Sequence, residues 1–224
     1  MGIAALLLAI ATAAAQGQTP ATGGALSAAD LCVTEGHVVA SAHGNLGVDV
    51  PKMRAYTKRL ASDAAELRFT YLGATETQEA LGSGRRREQL GLKLHAEDPC
   101  NLIYIMWRMQ PRSELVVSVK SNPGLHSSSA CSNHGYSNVR PRMSGVLPRL
   151  KPGDAHRLSV EMRGRQLTVL VDDVPAWQGA VDDSAAHLQG PAGVRSDNVH
   201  FEFQLAASPG KDREVCDSGS QDAD

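Results

Sequence analysis

The stretch with most potential for recognition chemistry runs from Lys120 to Arg142: Lys-Ser-Asn-Pro-Gly-Leu-His-Ser-Ser-Ser-Ala-Cys-Ser-Asn-His-Gly-Tyr-Ser-Asn-Val-Arg-Pro-Arg. Lys120, Asn122, His126, Asn133 and His134 supply hydrogen-bond donors and acceptors, and Tyr136 supplies a flat aromatic platform, a set suited to a polyhydroxylated ring. Long ordered loops on a rigid scaffold are where binding sites concentrate, although a solvated crossover loop would be polar for its own reasons. Upstream, Tyr104, Trp107 and Arg108 add a second candidate set. There an aromatic ring could stack on a ligand while the guanidinium pairs with a carboxylate, or the Trp could be core and the Arg a strand end. Trp177 suits either stacking or core cover.

Catalytic and metal signatures are missing. There is no Gly-x-Ser-x-Gly elbow and no His-Glu-x-x-His pair, and Ser127-Ser128-Ser129 has the composition of a loop. The acidic pairs Asp172-Asp173 and Asp182-Asp183, with Asp197-Asn198, read as turn residues rather than calcium ligands. Arg85-Arg86-Arg87 follows Gly82-Ser83-Gly84 and reads as a solvated hairpin loop, with contact to an anionic glycan as the sharper alternative. No cofactor or metal is expected, and a net charge of -2 gives no basic face for nucleic acid.

Period-two alternation marks the elements that must hold these residues. Val199, Phe201, Phe203 and Leu205 alternate with polar residues, as do Leu67, Phe69 and Tyr71, and Leu90, Leu92 and Leu94. Residues 156–172 read as a hairpin around Arg163-Gly164-Arg165, while 101–108 are apolar on both faces, as in a central strand covered twice. Residues 114–120 follow across a Pro-Arg-Ser turn, and a cluster of Lys, Arg, Ala and Leu suggests a short helix near 52–61. The sum predicts an all-β fold, a two-sheet antiparallel sandwich of jelly-roll type.

The ends define the compartment. Residues 1–15 read as a secretory signal, with an apolar run Ile3 to Ile10 and the small residues Ala13-Ala14-Ala15, and no other apolar run is long enough to span a membrane. Residues 16–29 read as a flexible leader, 30–207 as the domain, and 208–224 as a polar acidic tail. The expected location is periplasmic or secreted, where disulfides persist. Cys32, Cys100, Cys131 and Cys216 lack zinc-ligand spacing and allow three pairings. Cys100–Cys131 is favoured because it staples the Ser-rich loop, leaving Cys32–Cys216 to join the domain ends.

Three segments carry a family resemblance. They are Gln89–His95 with Asn101–Arg108, the hairpin His156–Val160 through Val171–Trp177, and Gly190–Asn198 followed by Phe201-Glu202-Phe203. Together, over residues 66–206, they resemble the concanavalin A-like lectin/glucanase superfamily, including its laminin-G-like branch; Asp173 stands where that pattern usually has Gly. The resemblance implies the sandwich fold, which hosts many activities. The Glu-x-Asp-x-x-Glu motif of the glucanase members is missing, so no catalytic residue carries over. The expectation is a non-catalytic module whose partner is a carbohydrate, bound by one sheet face and the 120–142 loop. A hydrolase similar to the keto-glycoside hydrolases is the first alternative, with His95, His126, His134 and Glu161 as the groups to inspect. A structural or protein-interaction domain is the second.

Overall fold

The computed structural model describes residues 23–41, 44–58 and 63–208. Two antiparallel sheets pack face to face. The first has seven strands, in spatial order β1 (Leu31–Glu35), β4 (Lys52–Thr57), β14 (Gly193–Asp197), β6 (Gln89–Asp98), β7 (Asn101–Arg108), β8 (Glu114–Lys120) and β9 (Tyr136–Asn138). The second has eight: β10 (Pro141–Ser144), β13 (Val174–Ala180), β12 (Gln166–Val171), β11 (Ala155–Arg163), β5 (Ala64–Ala74), β15 (Val199–Ala207), β3 (Leu46–Val48) and β2 (Val39–Ala40). The all-β sandwich expected from the alternation is the fold observed.

Alternation decides which side chains meet between the sheets. From the seven-stranded sheet come Met53 and Ala55, Leu90, Leu92 and Leu94, Ile103, Ile105 and Trp107, and Val117 and Val119. They face Leu67, Phe69, Leu158, Val160, Phe201 and Phe203 of the other sheet. Trp107 is fully buried, meets the Phe69 ring edge-on at 5.7 Å, and donates Nε1–H to Ser113 Oγ at 2.7 Å. It therefore belongs to the core, where truncation to Ala costs about 3–5 kcal/mol. Trp177 is equally buried.

Where a short helix was expected near 52–61, residues Lys52–Thr57 form β4 instead. Met53, Ala55 and Thr57 are buried while Lys52, Arg54 and Tyr56 face outward, and pairing with β1 and β14 on both sides overrides the weak helical composition. Between β12 and β13, Asp172 and Asp173 both take positive φ and make the tight turn, with Asp172 accepting from the Arg157 amide. Part of the expected leader is tied down: the amides of Gly23 and Leu26 donate to the carbonyls of Ala207 and Leu205. Residues 1–22 and 209–224, and with them the signal segment, most of the tail and the Cys32–Cys216 pairing, lie outside the described residues. Among the described residues no helix is long and apolar enough to cross a membrane.

Candidate functional site

Antiparallel register places outward side chains of the seven-stranded sheet in rows. One row crosses the sheet as Tyr56, Gly193, Lys93, Tyr104, Ser118 and Asn138. The next runs Arg54, Arg195, Gly91, Met106 and Val116, and a third Lys52, Asp197, Gln89, Arg108 and Glu114. The two glycines matter because of close approach. A Cβ on Gly91 would sit 2.0 Å from the Ile105 carbonyl oxygen, and one on Gly193 would sit 2.3 Å from that of Ala55. Without side chains there, two long cations lie down on aromatic rings: Lys93 Nζ is 5.8 Å from the Tyr56 ring centroid, and the Arg195 guanidinium 4.9 Å from that of Tyr104.

The polar groups of this face are buried. Asp197 is fully buried and takes Arg54 Nη2 at 2.6 Å, Arg195 Nε at 3.0 Å and Gln89 Nε2 at 2.6 Å. Burial works against its charge, yet Arg54 and Arg195 hold its pKa at about 2. Burial also opposes the charge on Arg195, but Asp197, Tyr104 and Tyr136 outweigh it and raise the pKa. Lys93 is the contrasting group. Burial first, then the neighbouring Arg54 and Arg195, bring its pKa down to about 7, and among the described residues no acceptor lies within hydrogen-bond reach of its ammonium. Gln89 Oε1 and Arg108 Nε are buried without a partner among the described residues, as are His95 Nδ1, Ser159 Oγ and Ser196 Oγ elsewhere. Such orphans are rare in folded proteins.

Tyr104, Lys120 and Tyr136 are brought together. The Tyr104 and Tyr136 rings stack at 6.0 Å with 23° between planes, and Lys120 Nζ is 5.2 Å from the Tyr136 centroid. Tyr136 is 41% exposed and Tyr104 is buried. Burial lowers the Lys120 pKa and raises that of Tyr104 to about 12. Beneath the tyrosines, Ala96, Leu102, Tyr104 and Met106 form a separate apolar cluster, which is why β7 reads apolar on both faces.

The loop between β8 and β9 is braced at its base. Cys100–Cys131 is a disulfide, as its position suggested. Lys120 Nζ donates to the Ser132 carbonyl, and Asn101 Nδ2 to that of Leu125. Asn122 turns out to be a brace rather than a ligand group: its side-chain amide donates to the carbonyls of Cys100 and His134, and its backbone N–H to Asn101. Gly135 has φ of 78°, and a Cβ there would sit 2.3 Å from Asn122 Nδ2. His126 is exposed and meets Asp98 Oδ2 at 2.8 Å, His134 is exposed, and Asn133 stands exposed beside Gly82. Trp107 faces away into the core, and Arg108 lies on the outer face against Glu114.

Arg54, Tyr56, Gln89, Lys93 and Arg195 complete the face without having been singled out in the sequence, together with Asp197, which the sequence suggested only as a turn residue. The signal available was the register of the polar alternates, Gln89-x-x-x-Lys93 and Arg195-x-Asp197, between buried partners. Asp197 reads as a turn residue until its strand is placed between two others. Of the groups a hydrolase would draw on, His95 pairs with Asp63, His126 with Asp98 and Glu161 with Arg163 on the other sheet, while His134 is exposed. Among the described residues no three His, Cys, Asp or Glu side chains gather as a metal site.

No protein-family model matches the sequence, and no curated protein is similar to it in sequence. Similar solved structures include a carbohydrate-binding module from Bacillus subtilis, at 13% identity and TM-score 0.54, covering 80% of this chain and 96% of that one. They also include the Emp46p carbohydrate recognition domain. Its metal-free form has 10% identity and TM-score 0.52, covering 81% of this chain and 89% of that one. Its potassium-bound form has 11% identity and TM-score 0.50, with the same coverage. At such identities the likeness is one of fold, consistent with the concanavalin A-like sandwich.

Proposed function

We propose that the chain is an exported, non-catalytic carbohydrate-binding module whose ligand lies on the outer face of the seven-stranded sheet, at the end where the β8–β9 loop closes over it. The observation that carries this is the stacked Tyr104–Tyr136 pair with one exposed ring, set among Lys120, Arg195 and Lys93. Sugar rings present C–H faces to aromatics and hydroxyls to charged and amide groups, which is the chemistry of this surface. Two fold neighbours are a carbohydrate-binding module and a carbohydrate recognition domain, in line with the same ligand class here. The buried Cys100–Cys131 disulfide suits an oxidising, extracytoplasmic compartment.

Hydrolysis has less support. Glycosidases need one carboxyl group with a raised pKa as the acid, whereas Asp197 is held ionised by two guanidinium groups. A glycan array probed with the wild-type chain and Tyr136→Ala tests the assignment. Binding by the wild type that Tyr136→Ala abolishes is expected; a wild type that binds no glycan overturns it.

A further inference from the structure

The outer face of the seven-stranded sheet carries more positive charge than it neutralises. Arg54, Arg85, Arg87, Lys93, Arg108 and Arg195 act on one another there, while the carboxylates among them are Glu35, Glu114 and Asp197. Besides burial, Arg85 and Arg195 lower the pKa of Arg87, and Arg87 lowers that of Arg108. Such an arrangement is costly unless an anion joins it.

Two groups show where that anion would sit. Lys93 is buried on the face, has three N–H donors, lies against the Tyr56 ring, and has no hydrogen-bond acceptor among the described residues. Arg195 directs Nε, and more loosely Nη2, at Asp197, and its remaining N–H groups have no acceptor among the described residues. Lys93 and Arg195 project from neighbouring strands in adjacent rows, Lys93 reaching past Gly193 to the Tyr56 ring and Arg195 past Gly91 to the Tyr104 ring. A guanidinium with free N–H groups can give a planar carboxylate two parallel bonds, and the ammonium on the next strand adds a second positive charge to the same stretch of the face.

We propose that this face is a receptor for acidic carbohydrate, with Lys93 and Arg195 binding the carboxylate of a uronic acid residue while Tyr136 stacks on a sugar ring. The inference rests on the carbohydrate assignment above and specifies its ligand class. Arg85 and Arg87, at the end of the loop preceding β6, extend the positive strip so that a second acidic residue along the chain is also met. Glu35, Glu114 and Asp197 are the acidic groups that face the strip; Asp197 already has three donors, and Arg54 draws on Glu35.

The test is calorimetric titration of the full chain with tetrasaccharides of galacturonate, glucuronate, mannuronate and guluronate, each beside its neutral methyl ester and a sulfated neutral tetrasaccharide. One acid is expected to bind on the order of 100-fold more tightly than its ester, as charge-assisted bonds require. Lys93→Met should abolish the difference between acid and ester, and Lys93→Arg should restore part of it. Equal binding of acid and ester, or an acid affinity indifferent to Lys93→Met, overturns the acidic receptor while leaving carbohydrate binding in place. Binding of the sulfated sugar alone overturns the carboxylate. No binding by any acid, ester or sulfated sugar, with a blank glycan array, overturns both.

Discussion

The two outer faces of the sandwich use charge in opposite ways. On the eight-stranded sheet, charges stand in local pairs: Arg68 with Glu66, Arg163 with Glu161, Arg157 with Asp173. Ser41 and Asn45 donate to Glu202. A shallow depression of about 380 Å³ opens there between Arg68, Thr70, Arg157 and Glu202, and its charged groups already have partners. On the seven-stranded sheet Lys52 with Glu79 and Arg108 with Glu114 pair in the same way, but Lys93, Lys120 and Arg195 are largely buried and laid against tyrosine rings, and Lys93 has no acceptor among the described residues. Paired, exposed charge keeps a surface soluble at little cost. Buried charge of one sign lowers stability, and a fold keeps such groups where they do something. The depression is therefore the less informative surface.

Breaking the arrangement at its centre should have the largest effect. Asp197→Asn leaves Arg54 and Arg195 buried beside a neutral amide, and denaturant unfolding should show a loss of about 3–5 kcal/mol. The Cys100→Ser, Cys131→Ser double variant frees the loop that presents Tyr136. It should lose roughly 2–4 kcal/mol in the same assay, together with glycan binding.

Lys93→Met should act in the other direction. Its methionine removes a desolvated ammonium and should raise stability at pH 7 by about 2 kcal/mol. The pH dependence has a definite sign. The folded-state pKa of about 7 lies below the unfolded value of 10.5, so between them the unfolded chain holds the extra proton. Wild-type stability should then gain a rising contribution as pH climbs from about 7 towards 10.5, and Lys93→Met should remove that slope. The smallest change belongs to the opposite face, where Glu161→Gln disturbs only its exposed pair with Arg163 and should cost under about 1 kcal/mol.

Much of the fold was legible because period-two patterning records which side of a strand meets the core: Phe201 and Phe203, Leu90 to Leu94, and the hairpin around Gly164 all appear where alternation placed them. The strand at 52–57 was not, since Lys-Met-Arg-Ala-Tyr has composition near helical and its alternation is visible only once β1 and β14 flank it. Within the candidate face, Tyr104, Lys120 and Tyr136 could be named from one long segment, because β7, β8 and the loop are close in sequence. Lys93, Arg195 and Arg54 could not. Their meeting depends on β14 inserting between β4 and β6, a crossover of long sequence separation that no local pattern encodes. Trp107 illustrates the converse: its type suggested a platform, but its parity along β7, shared with Ile103 and Ile105, sends it to the core.

The central claim is that the ligand face is the seven-stranded one, and amide NMR of the full chain titrated with the glycans of the array tests it most directly. Chemical-shift changes should cluster at Lys93, Tyr104, Tyr136 and Gly193 and spare Arg68, Thr70 and Glu202. Changes centred on Arg68, Thr70 and Glu202, with Lys93 and Tyr136 silent, would contradict it.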